Sequence, residues 1–187
     1  MNRGRPVLLR SGVLWYAHDP SPEDVRFADM QTLSRMCRWS GHTHTFYSVA
    51  EHCVRVARLL RERGCSTAVQ LAGLCHDGHE VYPPGDVPGP LLAGDTPAAS
   101  ALREMERKAR EAYRTALGLP WEFDPAVHEA DLVMLHTEAT FLMPPCDPIH
   151  WYGLPEPLAY MSEPWGEECA WEAWQRAYRD LGGVVLQ

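Results

Sequence analysis

The sequence predicts an all-α domain, and three observations predict it. Apolar residues recur at helical spacing through long segments, with charged residues on the opposite faces. Clusters of Pro, Gly, Ser and Asp punctuate the chain between those segments. Finally, 187 residues at 45% hydrophobic and 22% charged suit one globular domain over 1–187, with a core of its own.

The elements follow in order. Residues 1–20 read as a short strand-like or irregular lead, with VLWY at 13–16 and a turn signal at DPSPED, 19–24. Residues 22–41 read as a helix on the stripe Phe27, Met30, Leu33 and Met36, interrupted by Gly41. A cleaner helix starts near Thr45, with Phe46, Val49, Ala50, Cys53, Val56, Ala57 and Leu60 on one face. Glu51, Arg55, Arg58 and Glu62 line its other face, and Gly64 stops it. Residues 67–78 form a more thoroughly apolar, central helix, and 82–97 is a Pro/Gly-rich loop. Amphipathic helices follow over about 98–117 and 125–142. After a proline-rich stretch, a last helix over about 166–181 carries Ala170, Trp171, Trp174, Ala177, Tyr178 and Leu181 on one face. Those tryptophans suit a core or a subunit interface, and a homo-oligomer is expected on that account.

The formal charge is −8, with no basic stripe. A duplex-binding surface needs clustered cations, so polymeric nucleic acid is not an expected partner. A small phosphorylated ligand needs only two or three local Arg or Lys. The six cysteines form no C-x-x-C pair and read as free, largely buried thiols of a reducing compartment. The basic N-terminus has an apolar run too short for a signal-peptide core, and no segment reaches membrane-spanning length. The expectation is a cytoplasmic protein with no membrane partner.

The stretch LAGLCHDGHE, 71–80, is where chemistry concentrates. An apolar helix ends in His76, Asp77, His79 and Glu80, polar groups that are costly to bury unless something satisfies them. A helix end reaching solvent is one reading. The other is a site, because His52 lies at the edge of an apolar stripe and Asp131 precedes a buried run in HEADLVMLHTEA. Together His52, His76, Asp77 and Asp131 offer two imidazoles and two carboxylates, with no thiolate. That set suits a catalytic divalent ion (Mn²⁺, Co²⁺, Fe²⁺, Mg²⁺ or Zn²⁺) better than a closed structural zinc site.

In this pattern the chain resembles the HD-domain phosphohydrolases, all-helical, metal-dependent hydrolases of phosphate esters. The ordered segments are CRWSGHTHTFYSVAEHC (37–53), LCHDGHE (74–80), GDVPGPL (85–91), EADLVMLHTEATFLMPP (129–145) and EPWGEECAWEAW (163–174). They look like the small single-domain branch containing bacterial 5′-deoxynucleotidases and phage dATP triphosphohydrolases. The resemblance implies a compact helical bundle with the metal site between central helices. It implies His52, His76, Asp77 and Asp131 as ligands and Glu80 as the catalytic carboxylate, which a continuing helix would put on the same face. Asp86 matches an aspartate acting on the leaving oxygen or the water, and reads equally as a turn aspartate. Arg38 is implied to face phosphate and Trp39 the sugar, where its indole would crowd a 2′-hydroxyl, although Trp39 also suits ordinary core. His42 could approach the phosphates. His79 stands where relatives carry a small residue, and would support a ligand or a second metal.

The chain departs from the pattern in two places. His76 and Asp86 are ten positions apart, one more than the resemblance implies, with Pro83-Pro84 as the apparent insertion. Leu92 stands where relatives often carry a Lys, so a phosphate-binding cation is either missing or supplied elsewhere, with Arg35, Arg38 and Arg55 as the candidates. His44, His128, His136 and His150 read as surface or packing residues. Glu138, seven positions after Asp131, lies on nearly the same face and could orient a ligand imidazole. The expected activity is a deoxyribonucleotide phosphohydrolase acting on dATP, with a broad 5′-deoxynucleotidase as the alternative. Alarmone or cyclic-nucleotide cleavage is more distant, and a non-catalytic nucleotide or metal sensor is the rival from another class.

Overall fold

The structure, a computed structural model, describes residues 4–184 and is all-α apart from one small hairpin. The first three residues of the basic lead and the last three of the chain lie outside the described residues. In the hairpin, β1 (Val7–Leu8) pairs antiparallel with β2 (Leu14–Trp15), Val7 opposite Trp15. Its Trp15 is fully buried and stacks on Tyr82, ring centroids 4.0 Å apart.

The segment expected as one helix over 22–41 is three 3-10 turns instead: Pro22–Asp24, Phe27–Ser34 and Arg38–Gly41. The reason was in its stripe. Phe27, Met30, Leu33 and Met36 recur at every third position, and a 3-10 helix has about three residues per turn against about 3.6 for an α-helix. Met30 and Leu33 are buried as expected. Extended backbone at Val25 and at Cys37 separates the turns, and Cys37 forms an isolated bridge with Ser48. The buried Asp29 ties the segment to the hairpin, accepting from Ser11 N at 2.8 Å and Ser11 Oγ at 3.0 Å.

The α-helices are α1 (Val49–Glu62), α2 (Thr67–Cys75), α3 (Gly89–Leu92), α4 (Pro97–Leu117), α5 (Pro125–Leu142) and α6 (Glu167–Asp180). Four begin on side-chain caps: Ser48, Ser66, Thr96 and Asp124 each accept a backbone N–H of the first turn. Gly118, in the left-handed region at φ 63°, closes α4. α1 is central and packs on α2, α5 and α6. The loop over 82–97 holds the single turn of α3, and the helix expected to reach residue 78 stops at Cys75. It gives way to a 3-10 turn, Gly78–Val81, whose first residue must be glycine: a Cβ there would run into the Tyr113 hydroxyl of α4.

The aromatic stripe of α6 faces inward. Trp171 stacks on Trp174 at 5.7 Å and Trp174 on Tyr178 at 5.0 Å, with Phe27 tilted against all three. The Trp174 indole N–H donates to Leu74 O at 3.2 Å. The core therefore takes up the face that would have suited a subunit interface. All six cysteines are free, but only Cys53 and Cys75 are fully buried, while Cys37, Cys146 and Cys169 are exposed. Among the described residues no helix is long and apolar enough to cross a membrane.

Candidate metal centre

Four chain segments meet at one point. α1 brings His52, the C-terminal end of α2 brings His76 and then Asp77, α5 brings Asp131, and the turn before α1 brings Arg38 and Trp39. His52 Nε2 lies 3.3 Å from His76 Nε2, 3.1 Å from Asp131 Oδ1 and 3.7 Å from Asp77 Oδ2. His76 Nε2 lies 3.2 Å from Asp77 Oδ2 and 3.6 Å from Asp131 Oδ1. All four residues expected as ligands are thus brought together.

The far nitrogen of each ring decides what the near nitrogen offers. His52 Nδ1–H donates to Glu138 Oε1 at 2.5 Å, and His76 Nδ1–H donates to Gly73 O at 2.7 Å. In neutral rings both Nε2 atoms therefore present lone pairs to a space they share with two carboxylate oxygens. Such a set repels itself unless positive charge sits among it, and this is the donor chemistry of a divalent cation site. The donor atoms of His52, His76 and Asp131 all lie within 4.8 Å of one another, so one ion can reach all three. The same electrostatics governs the protons. Burial opposes charge on both imidazoles, yet the carboxylates beside them raise both above their usual range, His76 the further. Burial likewise raises Asp77 and Asp131, and the two imidazoles outweigh it and hold both carboxyls far below theirs.

Glu138 does more than orient one imidazole. Fully buried, it accepts from His52 and from Tyr47 OH (3.0 Å) at Oε1, and from Arg38 Nε and Trp39 Nε1 (both 3.1 Å) at Oε2. Burial would raise its pKa, but Arg38, His52 and Tyr47 win and hold it at about 2. One carboxylate thus fixes a candidate ligand together with Arg38 and Trp39, two of the residues expected at the substrate.

Of the three candidate cations, Arg38 is the one at the cluster, its Nη1 3.2 Å from Asp77 Oδ2. Arg35 pairs with Glu167. Arg55 is held by Glu51 and donates to Ser162 O and Glu163 O. Trp39 is only partly buried, so it is not ordinary core. Its indole meets Trp151 edge-on, centroids 5.8 Å apart. Trp39 and Ser40 both sit in the left-handed region, at φ 57° and 50°, which L-residues adopt at a cost.

Glu80 does not extend α2 as expected; it lies on the 3-10 turn. Its Oε2 is shielded from solvent with no hydrogen-bond partner among the described residues. Burial, then the charges of Asp77 and Asp86, push its carboxyl well above the usual range against Arg38 and His76. Burial raises the Asp86 carboxyl against the Arg38 charge, and one extra residue precedes it in the chain. That residue is absorbed in a turn in which Gly85 N–H donates to Tyr82 O at 2.9 Å, with Gly85 at φ 88°.

Two further candidates do not join the four ligands. His42 is exposed, and among the described residues no side-chain hydrogen bond or ion pair links it to them, although its backbone N–H donates to Trp39 O at 3.0 Å. His79 is buried and turned toward α4: Nδ1–H donates to His76 O at 3.2 Å, and Nε2 lies 3.7 Å from Glu106 Oε1. Three participants carry no sequence signal of their own: Tyr47, Trp151 and Cys53, whose Sγ and the donor atoms of His76 and Asp77 all lie within 4.8 Å of one another. Only the adjacency of Cys53 to His52 in the chain hinted at it.

Fold and cluster together define an all-α protein with a buried imidazole–carboxylate centre able to hold a metal ion. Over 131 residues, 68% of this chain and 67% of its relative, the sequence is 35% identical to the uncharacterized protein YfdR of Escherichia coli (strain K12). The chain belongs to the family of that protein. No family model matches it.

Proposed function

We propose that the protein is a metal-dependent deoxyribonucleotide phosphohydrolase of the HD-domain kind. Its favoured substrate on this reading is dATP, with dADP and dAMP also accepted and deoxyadenosine the end product. The observation that carries the reading is the convergence of His52, His76, Asp77 and Asp131 on one point, with Arg38 and Trp39 anchored to the carboxylate that orients His52. Beside it stands the ordered set of sequence segments resembling that family.

A divalent ion held by those four residues would polarise the phosphoryl oxygens and acidify water at the site. Arg38, fixed by Glu138 and Asp77, presents a guanidinium to the charge that grows on the phosphate. Glu80, with an unengaged oxygen, takes the proton of the attacking water. The water oxygen bonds to the α-phosphorus, the bond to the 5′-oxygen breaks, and that oxygen leaves with a proton as the deoxynucleoside hydroxyl. Triphosphate or phosphate is the other product, according to the substrate. Asp86, on this reading, donates a proton to the leaving oxygen. Trp39, its edge held by Glu138 and Trp151, walls the sugar against a 2′-hydroxyl. On the same reading the protein is cytoplasmic and acts on soluble nucleotides. A 5′-deoxynucleotidase acting on several monophosphates is the second reading, since the resembling segments belong to both branches.

The test is product analysis with the dNTPs, the dNMPs and ATP, adding Co²⁺, Mn²⁺ or Mg²⁺ to metal-stripped protein. Turnover confined to dATP and its lower phosphates is the expected result. Activity on several dNMPs alone would move the protein to the second reading. In either case Glu80→Ala should abolish turnover with the metal still bound; silence of the unmodified protein across the panel would leave a sensor.

A further inference from the structure

Cys53 read as one more apolar residue of the α1 stripe, but the fold turns it to the cluster. It is fully buried, one position along the helix from His52. Cys53, His76 and Asp77 each offer a donor atom, all within 4.8 Å of one another, a set as compact as that of His52, His76 and Asp131. In the turn that directly follows His76 and Asp77, Glu80 Oε2 is shielded from solvent without a hydrogen-bond partner among the described residues.

We propose that Cys53, His76 and Asp77 form a sulfur-containing ligand set in this pocket, which takes a thiophilic divalent cation such as Zn²⁺ or Cd²⁺ in place of the ion held through Asp131. The inference rests on the reading of the cluster as a metal centre and adds a donor of different chemistry to it. Thiolate selects soft and borderline ions, whereas imidazole and carboxylate oxygens also serve Mn²⁺ and Mg²⁺. The two sets share His76 Nε2, since His76 Nδ1 is engaged with Gly73 O. That nitrogen has one lone pair and binds one ion at a time, so the two modes exclude each other. As the sulfur–metal bond forms, the thiol proton passes to solvent, and nothing is oxidised or reduced. Thiophilic ions therefore compete with harder ions at one site.

The experiment is a Cd²⁺ titration of the full, metal-stripped chain, followed by the thiolate-to-cadmium charge-transfer absorbance in the ultraviolet, with Cys53→Ser and Cys53→Ala in parallel. The difference between the unmodified protein and each variant removes the contribution of the other cysteines. The expected result is a saturable difference band. Cd²⁺ affinity should fall in both variants by about tenfold or more, at least the loss that removing an outer partner of a ligand brings. Mn²⁺ binding, read by the paramagnetic signal of the free ion, should change little, which also shows that the variants are folded. Asp131→Asn should do the reverse, weakening Mn²⁺ and keeping the band. Cd²⁺ bound with no band, or a band that survives in the Cys53 variants, overturns the proposal and leaves the metal centre standing. If His76→Ala changes neither Cd²⁺ nor Mn²⁺ binding, the metal-centre reading itself falls.

Discussion

At the scale of single residues, Glu138 carries more of the site than any other side chain. A buried carboxylate that accepts from a guanidinium, an indole, a phenol and an imidazole has no spare capacity and no exposed face. Glu138→Gln keeps the shape, removes the charge, and turns one acceptor into a donor facing other donors. Arg38 is then a buried cation short of a partner, the situation in which breaking a pair costs about 3–5 kcal/mol. Urea denaturation should show a loss of that order. Affinity for the metal should drop about 10–100-fold, because the His52 imidazole is no longer oriented. A variant as stable as the parent would remove Glu138 from the centre of this account. The candidate ligands were legible in the sequence because two imidazoles and two carboxylates bordered apolar runs, where unsatisfied polar groups are costly. The full role of Glu138 was only half legible. Its spacing from Asp131 put it on the right face of α5, but its bonds to Arg38, Trp39 and Tyr47 span about ninety to a hundred positions of chain. Nothing local records those.

At the scale of elements, the approach to α1 is the informative part. The apolar stripe from Phe27 predicted burial correctly and helix type wrongly, although its period of three was visible. Hydrogen bonds such as Arg35 N–H to Thr32 O close three-residue turns there, where an α-helix would close four-residue ones. The reversal at Trp39 and Ser40 carried no signal at all, since neither residue favours positive φ. It persists because Trp39 is held at its indole N–H by Glu138, and because Arg38 N–H donates to Tyr47 O at 2.9 Å. Ser40 is exposed, so its strain has no such justification in side-chain contacts. Ser40→Gly should therefore stabilise the fold by about 0.5–1 kcal/mol, the relief of a left-handed L-residue less the extra freedom of glycine in the unfolded chain. Ser40→Val should destabilise it. Thermal melts of the two variants decide the matter, and equal Tm values would show that the turn relaxes without cost.

At the scale of the whole molecule, the cluster joins three helices that one part of the core already packs together. The hydrophobic interior divides into one group around α1, α4 and α6 and a smaller one between α1, α2 and α5. His52, His76, Asp77 and Asp131 stand where α1, the end of α2 and α5 meet, so an ion bound by all four ties three elements at once. The unfolded chain keeps no such arrangement, and an ion that prefers the folded state stabilises it by mass action. At about a hundred times its Kd the gain is about 2.7 kcal/mol. For a chain of this size each kcal/mol moves Tm by about 2–4 °C, so saturating Mn²⁺ or Co²⁺ should raise Tm by roughly 5–10 °C. A chelator should reverse the rise. Asp131→Asn, which takes one carboxylate from the set, should shrink it for Mn²⁺. A Tm indifferent to every divalent ion would mean that protons alone settle the charge among these four residues, and that His76 and His52 hold Asp77 and Asp131 as imidazolium–carboxylate pairs rather than as a metal centre.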